Sequence, residues 1–279
     1  MRKRNAHPQS NKLVRSSTLV DIVIPVYNRS DLLDECLQHI PAAAGNITYA
    51  TYVLDNGSKA DEATKIRSIC AKYPHTTYVF SQKNLGFPAG CNKAAHRGSS
   101  PLLFFLNDDV FLMKDSINNM VLALDDPTIG IVGAKLLFPS DSQDPNRPAG
   151  KVQHVGLDVN IRGQFIHIFV GWSANNPRVM KVRYPCAVTG AALMVRRALF
   201  KAVGGFCEEY GLGTYEDIEL CLSIRNLGYN IYLEQTAMGT HKVGETAISQ
   251  GIQYPLNFNY DLFKLRWQGK ITYTEWENW

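Results

Sequence analysis

The side chains most able to do chemistry sit in a few short stretches. In FFLNDDV an apolar ramp from Leu102 to Leu106 runs straight into Asn107, Asp108 and Asp109. Adjacent carboxylates at the end of a buried strand are costly unless something pairs with them. One answer is a divalent cation, because Mg²⁺ or Mn²⁺ needs few protein ligands when phosphate oxygens and water complete its shell. The other is plain strand termination in water. A phosphatase-type nucleophile is excluded, because an amide, Asn107, stands where the first Asp would be. Alternation along an extended chain puts Asn107 and Asp109 on one side and Asp108 on the other. Asp109 then faces the cation, and Asp108 reaches a hydroxyl or water.

Other stretches invite similar questions. TYEDIELCLSIRNLGY opens a predicted helix on Glu216 and Asp217, with Glu219 nearby. Acids favour a helix N-terminus through the macrodipole, and a carboxylate there also suits a general base aimed at a hydroxyl. His241, in MGTHKVGE, follows the next strand and reads as structural or as a metal ligand. Asp55, in VLDNGS, either closes an Asx-turn or accepts hydrogen bonds from a base or ribose. NLGFPAGCN puts Gly86 and Gly90 before a helix, where backbone amides approach a phosphate or sugar. It matches neither the dinucleotide nor the P-loop glycine pattern.

The elements that must position these residues are legible as periodicity. LVDIVIPVY is a continuous branched apolar run, the mark of a strand buried on both faces. RSDLLDECLQHI, TYATYVLD, ADEATKIRSICAKY, TTYVFSQ, AGCNKAAHRG, PLLFFLN, KDSINNMVLALDD and IGIVGAKLLF then alternate helix and strand through residue 138. That pattern predicts a doubly wound, mostly parallel sheet, whose ligands sit at the carboxyl ends of its strands. Those ends here are polar: Asn28, Asp55–Asn56, Asn84 and Asn107–Asp109. Beyond the turn-rich PSDSQDPNRPAG, strands are expected over KVQHVGLDVN, GQFIHIFVGW, VMKVRYPCAVTGAALMVRR and YNIYLEQ. Helices are expected over ALFKAVGGF and TYEDIELCLSIRNLG. The C-terminal stretch with Trp267, Trp276 and Trp279 is aromatic and weakly periodic, suited to an acceptor platform or an oligomer contact.

Composition narrows the class. The 279 residues are 45% hydrophobic and 19% charged, ample for one sizeable α/β domain. No apolar run approaches the roughly 18 residues of a membrane span. The first twenty residues hold Arg2, Lys3, Arg4, Lys12 and Arg15 with no acid, against a formal total of +4. The rest of the chain is therefore close to neutral, poor support for a dedicated nucleic-acid surface. The basic N-terminal stretch lacks the apolar core of a secretion signal and reads as a mobile tail. Six cysteines with no metal spacing read as reduced thiols of a cytoplasmic protein.

In this order, VDIVIPVYNR, VLDNGS, NLGFPAGCN, FFLNDDV, GIVGAKLLFP, VQHVGLD, VTGAALMVRRALFKAVGGF and YEDIELCLSIRNLGY ending in THKVGET resemble glycosyltransferase family 2. These are inverting nucleotide-sugar transferases, and the resemblance covers roughly residues 19–250. It is nearest in pattern to the rhamnosyltransferase-like branch of bacterial surface polysaccharide synthesis. The resemblance implies an α/β GT-A fold, a Rossmann-like, mostly parallel sheet with a smaller mixed acceptor-side half. It divides the chain into a tail (1–18), a nucleotide-sugar-binding half (19–138), an acceptor-binding and catalytic half (139–250) and a C-terminal extension (251–279).

The same resemblance implies roles. Pro25, Tyr27 and Asp55 frame the nucleoside, with Asn28 on the same rim, and Asn84 and Gly86 border the donor. Asn107, Asp108 and Asp109 take the DXD position, with Asp109 on Mn²⁺ or Mg²⁺ and His241 a further metal or diphosphate ligand. Gly190 and Ala191 lie beneath the sugar. Asp217 is the base and Glu216 the second choice, while His154 has no assigned role. The donor is a UDP, dTDP or GDP sugar, and the acceptor a glycan or lipid-linked glycan, with peripheral membrane contact compatible. Nucleic acid or protein is the alternative acceptor. A sugar nucleotidyltransferase would carry a glycine-rich loop after the first strand, and PVYNRSD has no glycine. A non-catalytic nucleotide- or glycan-binding relative would have lost Asp109 or the base, and both acids are present.

Overall fold

The computed structural model describes residues 18–160, 162–244 and 249–271. The run β1 (Val20–Val26), α1 (Ser30–Ala44), β2 (Tyr49–Asn56), α2 (Ala60–Cys70), β3 (Thr76–Ser81), α3 (Gly86–Ala95) and β4 (Leu102–Leu106) matches the predicted alternation. After it come β5 (Val110–Leu112), α4 (Ser116–Ala123) and β6 (Ile129–Leu137). The second part contributes β7 (Val152–His154), β8 (Leu157–Val159), β9 (Phe165–His167), α5 (Pro177–Lys181), β10 (Ala192–Arg196) and α6 (Arg197–Ala202). It ends with α7 (Glu216–Asn226), β11 (Asn230–His241) and α8 (Leu256–Trp267).

One sheet runs β3-β2-β1-β4-β10-β6-β11-β5, with β7 pairing β6 off that path. β1 to β4 are parallel to one another, and β11 is parallel to β6. β10 runs antiparallel between β4 and β6, bringing Ala192 opposite Leu106. That reversal delivers the residues just before β10 to the carboxyl edge of the parallel strands.

The sheet is covered on both faces. Ile22, Ile24, Phe104 and Leu106 pack into one core with Leu33, Ile40, Ile66 and Ile117 of α1, α2 and α4. Val23, Leu103 and Phe105 pack into another with Cys91, Leu199, Ile224 and Phe263 of α3, α6, α7 and α8. Adjacent residues thus face opposite layers, which is why the strands read as unbroken apolar runs. All six cysteines are free thiols, and all but Cys207 are buried. No helix among the described residues is long and apolar enough to cross a membrane.

Several local expectations need correction. VMK, expected in a strand, lies in α5, because the Asn176 side chain accepts the Arg178 amide (2.9 Å) and Pro177 opens the helix. KVQHVGLDVN is two short strands broken at Gly156, whose φ of 125° no branched residue tolerates well. The weakly periodic C-terminal stretch forms α8, and Trp267 is buried there. Residues 1–17 of the basic tail, and Trp276 and Trp279, lie outside the described residues.

A buried ion pair ties the two parts of the sheet together. Asp21 in β1 meets the Arg197 guanidinium at the start of α6, and the Ser100 amide and hydroxyl also donate to Asp21. Arg197 further donates to the Ala95 and Ser100 carbonyls. Removing one partner strands the other's charge, so Asp21→Ala should destabilise the fold by about 3–5 kcal/mol. Thermal unfolding should show a drop on the order of 10 °C, and an unchanged midpoint would refute this role.

Candidate active site

The carboxyl ends of β1, β2, β4 and β11 open on one rim around a cavity of about 310 Å³. Pro25, Tyr27, Asn84, Gly86, Asn107, Asp108, Asp109 and His241 all line it, as do Asn56, Leu212 and Tyr254. A second cavity of about 220 Å³ lies alongside, lined by Gly190, Ala191, Glu216 and Asp217. Phe87, Asn107, Leu212, His241 and Tyr254 border both. Residues more than 180 positions apart in sequence are thus brought into one continuous site.

Two of the expected residues stand behind its wall. Asp55 is fully buried, with one oxygen accepting the Ser58 amide (2.9 Å) and the other the Tyr78 hydroxyl (2.7 Å). Both its oxygens are engaged by the protein, and its neighbour Asn56 faces the cavity instead. Asn28 accepts the Lys59 amide (2.7 Å) and donates to Gln250 (2.9 Å), joining the first strand end to the C-terminal segment. Asn56 donates to Asn84 Oδ1 and to the Gly86 carbonyl, both at 3.1 Å. Asn84 Oδ1 in turn accepts the Gly86 amide (2.8 Å). Gly86 has φ +79°, and a Cβ there would run into the Gly211 carbonyl.

The acidic turn differs from the alternation expected of an extended chain. β4 stops at Leu106, and Asn107–Asp109 form a turn closed by the Val110 amide on the Asn107 carbonyl (3.2 Å). All three side chains therefore reach the same cavity. Asn107 Oδ1, Asp108 Oδ2 and Asp109 Oδ1 are buried without a hydrogen-bond partner. His241 Nε2 lies 3.2 Å from Asp109 Oδ1, and its Nδ1 faces Gln153 Oε1 at 3.2 Å. An amide carbonyl oxygen only accepts, so Nδ1 carries a proton toward Gln153, and Nε2 is the ring atom turned to Asp109.

The second acid pair, Glu216 and Asp217, opens α7. Thr214 and Tyr215 precede them with φ of 84° and 71°, strained for residues with a Cβ. Asn259 of α8 holds this bend by donating to the Tyr210 (2.9 Å) and Gly213 (2.7 Å) carbonyls. Asp217 accepts the Gly190 amide (2.9 Å) and its neighbour's, Ile218 (2.8 Å). Glu216 Oε2 is buried with no partner. Glu219 turns away to Tyr210, Arg266 and Trp267 and is structural.

Comparison with known proteins places this site in a family. The sequence model of Glycosyl transferase family 2 matches residues 21–202, well over half of the chain. This chain belongs to glycosyltransferase family 2. The O-antigen biosynthesis protein RfbC of Myxococcus xanthus is 28% identical over 226 residues, covering 78% of this chain and 17% of RfbC. The chain spans about a quarter or less of the length of the first curated relatives it matches. Among solved structures, the mannosyltransferase PcManGT of Pyrobaculum calidifontis, in complex with GDP-Man and Mn²⁺, superposes with a TM-score of 0.60 at 16% identity. That match covers 89% of this chain and 69% of the other. TarS residues 1–349 of S. aureus, in complex with UDP-GlcNAc, gives 0.57 at 15% identity, with 91% and 68% covered. The fold is the GT-A fold of these glycosyltransferases.

The electrostatics of this family 2 site split each acid pair into unlike members. Burial, then the charge of Asp109, pushes Asp108 well above the ordinary carboxylate range. Burial also pushes Asp109 upward, but the His241 ring outweighs it and holds that carboxyl below its ordinary value. Burial, then the charge of Asp217, raises Glu216 to about 8. Asp217 is raised by burial and held back by the Gly190 and Ile218 amides. Within each pair the neighbours differ, so Asp109 ionises before Asp108 and Asp217 before Glu216.

Sequence reasoning placed Asn56 at a polar strand end without giving it a role, and it missed Gln153 and Tyr254. Asn56 adjoins a residue already singled out. Gln153 and Tyr254 carry no local signal, since each matters only through a partner distant in sequence.

The raised Glu216 acid has a stability consequence. Between its ordinary 4.5 and about 8 the unfolded chain ionises while the folded one stays protonated. Folded-state stability therefore falls as pH rises through that window, by up to about 1.4 kcal/mol per pH unit. Glu216→Gln cannot ionise, so its thermal midpoint should match the parent near pH 5 and exceed it by several degrees at pH 8. Equal midpoints at both pH values would contradict the buried, protonated acid.

Proposed function

We propose that this chain transfers a sugar from a nucleoside-diphosphate sugar to an acceptor hydroxyl, with inversion at the anomeric carbon. The observation that carries this reading is the junction of the two cavities. A carboxylate held by two backbone amides, Asp217, faces one of them, and the close pair Asp109 and His241 faces the other. Pro25, Tyr27 and Asn56 wall the space for the nucleoside, while Asn84 and Gly86 border the donor sugar and phosphates. Asp55 acts indirectly, by fixing the loop that presents Asn56. Gly190 and Ala191 form the floor between donor and acceptor, where Gly190 leaves room beside Phe87 and Asp217.

The acceptor hydroxyl must lose its proton as it attacks, and the Asp217 carboxylate, fixed by two amides, takes it. Glu216, protonated beside it, is placed to donate a hydrogen bond rather than accept a proton. Holding acceptor and donor across the junction sets attack opposite the departing diphosphate, the geometry that inverts the anomeric carbon.

Mn²⁺ or Mg²⁺ fits the other side. Asp109 Oδ1 and His241 Nε2 stand close enough to share one cation, and Asn107 and Asp108 add orphaned oxygens beside them. No group of three or more His, Cys, Asp or Glu among the described residues makes a metal site by itself, so the donor's phosphates must supply the remaining ligands. When bound, the cation neutralises charge on the leaving diphosphate. Asn107, an amide where a third acid would add charge, keeps a hydrogen bond available to the ribose.

The bound GDP-Man and UDP-GlcNAc of the structural neighbours support a donor of the UDP, GDP or dTDP type. The name of RfbC, an O-antigen biosynthesis protein, supports a glycan or lipid-linked glycan acceptor, and free, mostly buried thiols suit a cytoplasmic setting with any membrane contact peripheral.

Nucleotide release from a panel of UDP-, GDP- and dTDP-sugars, with and without Mn²⁺, tests the reading. Chelation should abolish release, and turnover indifferent to chelator would remove the cation. Asp217→Asn should lower transfer by about 10²–10⁴-fold while nucleotide still binds; normal transfer would exclude Asp217 as the base. Glu216→Gln should keep activity within about tenfold and lose any alkaline limb near pH 8. Asn107→Asp should tighten Mn²⁺ binding to the free protein, and unchanged affinity would mean that this side chain does not face the cation.

A further inference from the structure

His154 has no part in the chemistry above, yet it is a fully buried polar ring set behind Thr189, which lines the second cavity. The Thr189 amide donates to its Nε2 at 3.3 Å. Its Nδ1 lies 2.9 Å from Nδ1 of His167, with the two rings edge to face at 5.0 Å. The next amide after Thr189, that of Gly190, holds Asp217, and the Thr189 hydroxyl also reaches that carboxylate. One residue further, the Ala191 carbonyl accepts the Asn107 amide at 2.9 Å. Residues 189–191 therefore join the base to the acidic turn, and His154 grips the start of that join.

A backbone amide can only donate, which fixes the proton positions along the chain. His154 Nε2 must be the acceptor, so its proton sits on Nδ1 and is given to His167 Nδ1. His167 must then carry its own proton on Nε2. Each ring is neutral and each nitrogen in the chain has one role.

We infer that His154, with His167 behind it, is a positioning residue for the base: by taking the Thr189 amide it sets the Gly190 amide and Thr189 hydroxyl against Asp217. This rests on the reading of Asp217 as base. The surroundings keep the chain in its neutral form. Burial, then His167 and His241, holds His154 well below its ordinary value. Burial and His241 bring His167 down to about 4. The titratable groups that face Asp217 itself are Glu216 beside it and the Cys221 thiol one turn along α7.

Without His154 the Thr189 amide loses its acceptor, and the Gly190 amide is no longer fixed on Asp217. The carboxylate then loses a donor that favours its charged form. His154→Leu should lower kcat by about 10–100-fold, the scale of a small misplacement of a catalytic group. The donor KM should stay within about twofold. The Asp217 carboxyl, followed by ¹³C NMR titration, should move to higher pH together with the acid limb of the rate profile. His154→Gln, whose amide offers both an acceptor and a donor, should restore most of the rate and return the titration toward the parent.

His167→Phe leaves the His154 proton free to move to Nε2 and should shift Asp217 in the same direction, with a smaller loss of rate. It serves as the deciding variant if His154→Leu does not fold. An unmoved Asp217 titration in a folded His154→Leu or His167→Phe protein would overturn the inference, as would a Gln variant no better than Leu. If the parent protein transfers no sugar, the transferase reading falls, while the carboxyl titration still decides the role of His154.

Discussion

Burial of like charges at one edge of the sheet is the constraint to which the rest of the site answers. Asp108, Asp109, Glu216 and Asp217 belong to two adjacent acid pairs, and at least one oxygen of each of Asp108, Asp109 and Glu216 is sealed from water without a partner. Such groups cannot all ionise in a low-dielectric pocket. The protein resolves each pair by unlike neighbours: an imidazole beside Asp109, backbone amides on Asp217, and an oxygen left without a partner on Asp108 and on Glu216. Each pair is thus left with one member that ionises more readily than the other. The orphaned oxygens left over are groups that a bound donor, cation or acceptor would satisfy.

The reversed strand β10 makes that arrangement compact. Running antiparallel between two strands that point the other way, it carries Thr189–Ala191 to the carboxyl edge, where Asn107 and Asp217 both bind it. α8 contributes from outside the span matched by the family. Its Asn259 clamps the bend before Glu216, and its Arg266 and Trp267 hold Glu219 one turn along α7. The C-terminal helix is therefore part of what positions Glu216 and Asp217.

Much of this was legible in the sequence because it follows from local periodicity. The β-α alternation, the polar strand ends and the acid pairs at 108–109 and 216–217 all announce themselves in short windows. Failures came where a local rule lost to a different local geometry or to a distant partner. Alternation misplaced Asp108 because Asn107–Asp109 is a turn. VMK read as strand because the Asn176–Pro177 cap precedes it outside the apolar run. Asp55 looked like a ligand because its true partner, the Tyr78 hydroxyl, sits a strand away. The roles of Gln153, Tyr254 and His154 depend wholly on residues brought near by the sheet, and no window of sequence contains them.

The two cavities act as one site only if the cation is held jointly by the protein and the donor's diphosphate. The direct measurement is Mn²⁺ affinity, by calorimetry, with and without a saturating nucleoside diphosphate. If Asp109 and His241 are the protein's share of the ligands, as proposed, Mn²⁺ should bind weakly to the free protein and tighter by about tenfold or more with nucleotide, a coupling on the order of 1–3 kcal/mol. Equal affinity in the two cases would contradict the shared site.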